Sequence, residues 1–188
     1  MKKMKIIKKI KSKLIVSCQP VVKGTLDNHA SILALAQASV NGGASALRIN
    51  GEKNVYNIKK KTKVPIIGIK KRKLKNSEVV ITPFCEDVKS LAESGADIIA
   101  FDATLRKRPV EINKLIEVIH QYNCVAMADC SNFYEAINAT ELGADIVATT
   151  LSGYTKNKTV PKNPDFRMIT KYKTNTHNKP IIAEGRIN

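Results

Sequence analysis

Short apolar runs alternate along the whole chain with stretches that are apolar on one side only, and nearly every apolar run stops at a polar residue. Residues 64–69 (VPIIGI) show the pattern most sharply, because three cations, Lys70, Lys71 and Arg72, follow at once. Continuous apolar runs of strand length mark strands covered on both faces, as in parallel sheets. The same reading predicts strands over 14–20, 46–49, 66–69, 98–102, 125–129, 146–150 and 180–186, with a short extended piece at 79–83. Helical spacing predicts helices over 29–40, 52–62, 84–94, 112–122, 132–142 and 165–173, the first closed by Asn41-Gly42-Gly43.

Two segments are near-copies: Gly95-Ala96-Asp97-Ile98-Ile99-Ala100 and Gly143-Ala144-Asp145-Ile146-Val147-Ala148, with 42–47 a weaker third. Each is a helix-ending glycine followed by a strand. Strands that alternate with helices imply parallel βαβ units. Seven successive strands without a reversal predict an α/β fold of the TIM (β/α)8 type, one unit short of eight in this chain. Residues 14–188 form that single domain, and residues 1–13 form a basic helical arm ahead of it.

In such a barrel the chemistry gathers at the C-terminal ends of the strands. That rule selects Gln19, Arg48, Lys71, Asp102, Asp129, Thr149 and Glu184. Taken singly, each has a plainer role: Arg48 as an ion-pair partner, the aspartates as helix caps, Thr149 as a hydroxyl bonded to backbone. Seven polar strand ends aimed at one mouth form a constellation. Strand alternation puts Ile67, Ile69 and Lys71 on one face and Lys70 on the other, so one lysine of the pair enters the barrel. A lysine whose pKa is lowered by burial and nearby cations serves as a general base or a Schiff-base amine. With Glu184 as a complementary acid and an arginine for an anion, the site suits proton transfer at a carbon beside a carbonyl in a small anionic substrate.

Composition narrows the partners. The 188 residues are 43% hydrophobic and 26% charged, in the range of folded globular chains. No apolar stretch has the length of a membrane helix. The basic start is broken by Lys8, Lys9, Lys11 and Lys13, so no signal-peptide core forms and a cytoplasmic protein is expected. The net charge of +16 raises the alternative of a basic barrel that binds nucleic acid. Against it, lysines outnumber arginines 26 to 6 and spread over the whole length with few aromatics between them, which fits a general lysine bias. Cys18, Cys85, Cys124 and Cys130 form no CxxC pair and His29, His120 and His177 are scattered, so neither a zinc site nor disulfides are expected.

Read as motifs, LIVSCQ (14–19), LRINGEKNV (47–55), PIIGIKKR (65–72), SEVVITP (77–83), IIAFDATLRKRP (98–109), MADCS (127–131), TTLSGYT (149–155) and AEGRIN (183–188) are similar to those of bacterial N-acetylmannosamine-6-phosphate 2-epimerases. The resemblance covers almost all of the chain from Leu14 onward. It implies interconversion of N-acetylmannosamine 6-phosphate and N-acetylglucosamine 6-phosphate in sialic acid and amino-sugar catabolism. It casts Lys71 as the base at C2 and Glu184 as the group that assists ring opening. Gln19, Arg48 and Asp129 fall on substrate-contacting positions, Thr149 joins them at the mouth, and Gly185 and Arg186 lie beside the phosphate. No metal or organic cofactor is expected, and a homodimer is an open expectation. The family pattern continues past AEGRIN with a last helix, an eighth strand and a GGAITRP-like phosphate loop, so a truncated product or a fragment, weak in activity or inactive, is a further expectation. Another phosphate-binding barrel isomerase is the alternative among enzymes.

Overall fold

The computed structural model describes residues 2–155, 162–176 and 179–187; His177 and Asn188 lie outside that set. Seven parallel strands, β1 (Ile15–Cys18), β2 (Ala46–Asn50), β3 (Ile66–Ile69), β4 (Ile98–Asp102), β5 (Val125–Asp129), β6 (Ile146–Ala148) and β7 (Ile181–Ile182), pair each with the next in chain order. Helices α1 (Lys2–Ile10), α2 (His29–Asn41), α3 (Glu52–Lys59), α4 (Cys85–Glu93), α5 (Ile112–Gln121), α6 (Phe133–Glu141) and α7 (Phe166–Asn175) complete the described regular structure. From α2 onward the helices are the crossovers between successive strands. This is the expected (β/α)8-type architecture with seven strands, β1 and β7 forming the edges of the sheet.

Strand alternation splits the core in two. Leu47, Ile49, Ile66, Ile99, Phe101, Ala126, Ala128 and Val147 face outward and pack with the helices. Ala46, Ile67, Ile69, Ile98, Ala100, Val125, Met127, Ile146 and Ala148 face inward and make a second cluster. Into that inner cluster α1 inserts Ile6 and Ile10, both buried, from the N-terminal end of the strands. Its lysines stay outside, Lys9 donating to the Lys63 carbonyl at 3.1 Å and Lys3 pairing with Asp145 at 3.2 Å. The basic arm is thus the floor of the barrel.

The repeated GAD segments have one structural job. Gly95 and Gly143 take φ values of +95° and +103° as their helices end, a conformation open to glycine. The aspartate that follows turns back to the preceding strand: Asp97 Oδ2 accepts the Ile66 N–H at 2.9 Å, and Asp145 Oδ2 accepts the Ala126 N–H at 2.9 Å. Lys59 caps the first carboxylate at 2.5 Å and His120 the second at 2.9 Å. Three buried cysteines, Cys18, Cys124 and Cys130, and the half-buried Cys85 are all unpaired thiols.

The last strand departs from expectation, and the extended piece at 79–83 meets it with an added role. The piece at 79–83 is a wedge and no independent strand: β3 and β4 pair only at Ile67–Ile98 and Gly68–Ile99, and beyond that point the segment lies between them. It bonds β3 and its extension through Thr82 N–H to the Lys70 carbonyl (2.8 Å) and Arg72 N–H to the Val80 carbonyl (2.9 Å). It bonds β4 through Asp102 N–H to the Ile81 carbonyl (2.9 Å) and Thr82 Oγ1 to the Ala100 carbonyl (2.6 Å). The last strand, expected over 180–186, keeps ladder form only at Ile181–Ile182, because a side chain of the neighbouring strand's extension takes over the pairing at Glu184.

Candidate active site

Arg48 interrupts the apolar inner face from the middle of β2, level with Ile67 of β3. Its guanidinium reaches across the barrel to the end of β5: Nη2 to Asp129 Oδ2 is 2.6 Å and Nη1 to Asp129 Oδ1 is 3.1 Å. Nη1 also donates to Glu184 Oε2 at 3.1 Å. Arg48 is 2% exposed and Asp129 fully buried. Burial works against the guanidinium's charge, but Asp129 and then Glu184 more than offset it, so its pKa is raised and the cation persists. Arg48 Nε is buried with no partner among the described residues.

Glu184 lies past the short β7 and is fixed by its backbone. Thr149 Oγ1 donates to the Glu184 carbonyl at 2.9 Å and accepts the Glu184 N–H at 3.0 Å, so a hydroxyl stands in for a rung of the ladder. Thr149, expected at the mouth, is fully buried with its hydroxyl bonded to backbone, and alternation turns it away from the interior. The inward residue is the next one. Thr150 Oγ1 lies 2.6 Å from Asp129 Oδ1 and 3.1 Å from Glu184 Oε2. Burial pushes the Glu184 carboxyl up, Arg48 pulls it down, Asp129 pushes it up again, and Thr150 and Lys71 pull it down; the net pKa is raised.

Lys71 follows β3 on the inward face, as alternation requires, and is exposed at the mouth. Its N–H donates to Asn50 Oδ1 at 3.0 Å on one side, and it bridges Ile81 of the wedge on the other. Desolvation, with repulsion from Arg48, lowers its pKa, while the Glu184 and Asp129 carboxylates pull the other way. Lys70 points outward to Glu52 at 3.1 Å and Asp87 at 3.8 Å. Arg72 grips the same buried Asp87, with Nη2 to Oδ1 at 2.6 Å and Nε at 2.9 Å from both oxygens. Of the three consecutive cations, one is aimed into the mouth, one is held between α3 and α4, and one is anchored on α4.

The remaining positions divide. Asp129 and Arg48 are present where expected, yet Asp129 is sealed beneath the arginine, so its reach is to Arg48 and Thr150. Asp102 is likewise buried, accepting from Thr104 Oγ1 at 2.6 Å and Arg106 Nη2 at 2.7 Å, which shapes the β4–α5 loop. Gln19 donates to Ser17 Oγ at 2.6 Å and holds its buried Oε1 without a partner among the described residues. Gly185 and Arg186 both have positive φ, +89° and +58°, turning the chain after Glu184. Arg186 donates to the Asn163 carbonyl at 2.9 Å and the Ser152 carbonyl at 2.8 Å, with Nη2 buried and unpartnered among the described residues. Sequence reasoning missed Thr150 and Asn50. The period of two that separated Lys71 from Lys70 would have found Thr150, since Ile146, Ala148 and Thr150 share a face. Among the described residues no cluster of three or more His, Cys, Asp and Glu could hold a metal ion.

A parallel (β/α) barrel with a pKa-lowered lysine and a pKa-raised carboxyl at its C-terminal mouth defines a (β/α)-barrel enzyme built for proton exchange. The family model described as "Putative N-acetylmannosamine-6-phosphate epimerase" matches residues 32–188. The chain belongs to that N-acetylmannosamine-6-phosphate epimerase family. A relative of that name from Haemophilus influenzae is 47% identical over 183 residues, covering 97% of this chain and 79% of its own length. Another from Klebsiella pneumoniae is 48% identical over 175 residues, 93% of this chain and 74% of the relative. Among solved structures, the N-acetylmannosamine-6-phosphate 2-epimerase from Clostridium perfringens superposes with a TM-score of 0.93 at 39% identity, over 97% of this chain and 80% of that one.

Proposed function

We propose that this chain interconverts N-acetylmannosamine 6-phosphate and N-acetylglucosamine 6-phosphate by removing and returning the proton at C2, a step of sialic acid and amino-sugar catabolism in the cytoplasm. The observation that carries the reading is the placement of Lys71, which stands over the Arg48–Glu184 pair with its pKa lowered. A lowered pKa gives the amine a neutral fraction able to take a proton. Glu184, whose raised pKa lets the carboxyl hold a proton, exchanges protons with the sugar hydroxyl and ring oxygen during opening and closure. Arg48 balances the charge of Glu184. Gln19, with its orphaned carbonyl oxygen, and Arg186, with its orphaned Nη2, supply unsatisfied polar atoms for a polar, anionic substrate. The family membership and the close structural neighbour support the choice of sugar phosphate.

The test is solvent-deuterium wash-in at C2 of N-acetylmannosamine 6-phosphate in D2O, followed by proton NMR, with Lys71→Ala beside the unaltered chain. Exchange that vanishes in the variant supports the reading. Exchange that persists in Lys71→Ala, or a folded unaltered chain that catalyses none, overturns it. A nucleic-acid-binding barrel would instead show salt-steep association indifferent to Lys71.

A further inference from the structure

We infer that Thr150 is a positioning residue for Glu184: its hydroxyl, anchored on the buried Asp129, pins one oxygen of the Glu184 carboxyl and leaves the other free to meet the sugar. This rests on the epimerase reading and adds to it a residue whose work is done through another.

The geometry is asymmetric in a useful way. Glu184 Oε2 receives Arg48 Nη1 at 3.1 Å and faces Thr150 Oγ1 at 3.1 Å, whereas Oε1 has no hydrogen bond among the described residues. Two donors on one oxygen fix the rotation of the carboxyl and aim the other oxygen into open space. Thr150 has a single proton and two carboxylates to serve, Asp129 at 2.6 Å and Glu184 at 3.1 Å. The shorter contact sets where the hydroxyl sits; the longer one is weaker and adjustable. That one proton is shared between the two carboxylates, so the hydroxyl stabilises Glu184 in its ionised form. Thr150 therefore holds the ionised carboxyl in one orientation and favours that form. A valine of the same shape does neither.

The groups that bear on Glu184 are Arg48 from β2, Lys71 after β3, Asp129 from β5 and Thr150 after β6. Removal of the hydroxyl subtracts one stabiliser of the ionised carboxyl and leaves the others. A hydrogen bond to a charged group is worth enough to move its titration by about one pH unit.

The experiment is a carbon-13 NMR titration of the glutamate side-chain carboxyls in the full chain, with Glu184 identified by its absence in Glu184→Gln. Thr150→Val and Thr150→Ala are expected to raise the Glu184 midpoint by about one pH unit, and Thr150→Ser to restore it. In parallel, kcat for epimerisation should fall about tenfold in the valine and alanine forms with KM little changed, and the limb of the pH profile due to Glu184 should move up with the midpoint. A Glu184 midpoint unchanged in both Thr150→Val and Thr150→Ala overturns the inference, whatever the turnover. A shifted midpoint in a chain that shows no exchange at C2 sustains the positioning role and refutes the epimerase reading alone. Two hydroxyl-free variants guard against one of them failing to fold.

Discussion

At the scale of residues, Lys70 and Lys71 are neighbours with opposite fates, and the difference is the period of two in an extended chain. Lys70→Gln is expected to cost no more than about 1 kcal/mol of stability, since its ion pairs to Glu52 and Asp87 are partly solvated, and to leave C2 exchange intact. Lys71→Arg is expected to lose exchange by about 10²–10⁴-fold although its charge is kept, because a guanidinium does not release its proton. The same assay reads both. For the unaltered chain, the rate should rise with pH as Lys71 gives up its proton. Below the lysine pKa the amine already holds the proton it must accept, and because that pKa is lowered the rise should be centred below the ordinary value of about 10.4. A rise centred at or above that value would deny the lysine its role. Asp129→Asn strands Arg48 in the interior with one carboxylate fewer; a loss of about 3–5 kcal/mol in urea denaturation is the expected outcome.

At the scale of elements, most of the strands were legible because each is an apolar run bounded by polar punctuation, and Ala46–Asn50, Ile66–Ile69, Ile98–Asp102 and Val125–Asp129 match the reading within a residue. What could not be read was where a strand-to-strand ladder gives way to another partner. The ladder between β6 and β7 gives way to Thr149 Oγ1, and that between β3 and β4 gives way to the wedge at 79–82; neither leaves a hydrophobic period. The site followed the same rule: alternation turns Arg48, Lys71 and Thr150 inward, while Thr149 faces the helices with its hydroxyl bonded to backbone. Packing behind β3 gives a direct test. A Cβ at Gly68 would lie 2.9 Å from Ala96 Cβ and 3.2 Å from Leu91 Cδ2, so β3 would have to move off α4. Gly68→Ala is expected to cost about 1–3 kcal/mol in urea denaturation and, by displacing the strand that carries Lys71, to lower kcat more than it raises KM.

At the scale of the whole molecule, the sheet is strongest in its middle, where β4 and β5 pair over five residues, and weakest at β7, which has two ladder residues and half-buried side chains. Hydrogen exchange measured by mass spectrometry should therefore find the β7 amides exchanging first and those of β4 and β5 last; uniform protection would contradict the order of the sheet. The other end of the barrel is closed by α1, whose Ile6 and Ile10 complete the inner cluster. Because that floor offers no exit, traffic through the barrel is not directional: what is released leaves past the same groups that received it. That suits a pair of sugars differing at one carbon, whose net conversion, as with any catalyst, is set by the reaction's equilibrium constant and the concentrations outside.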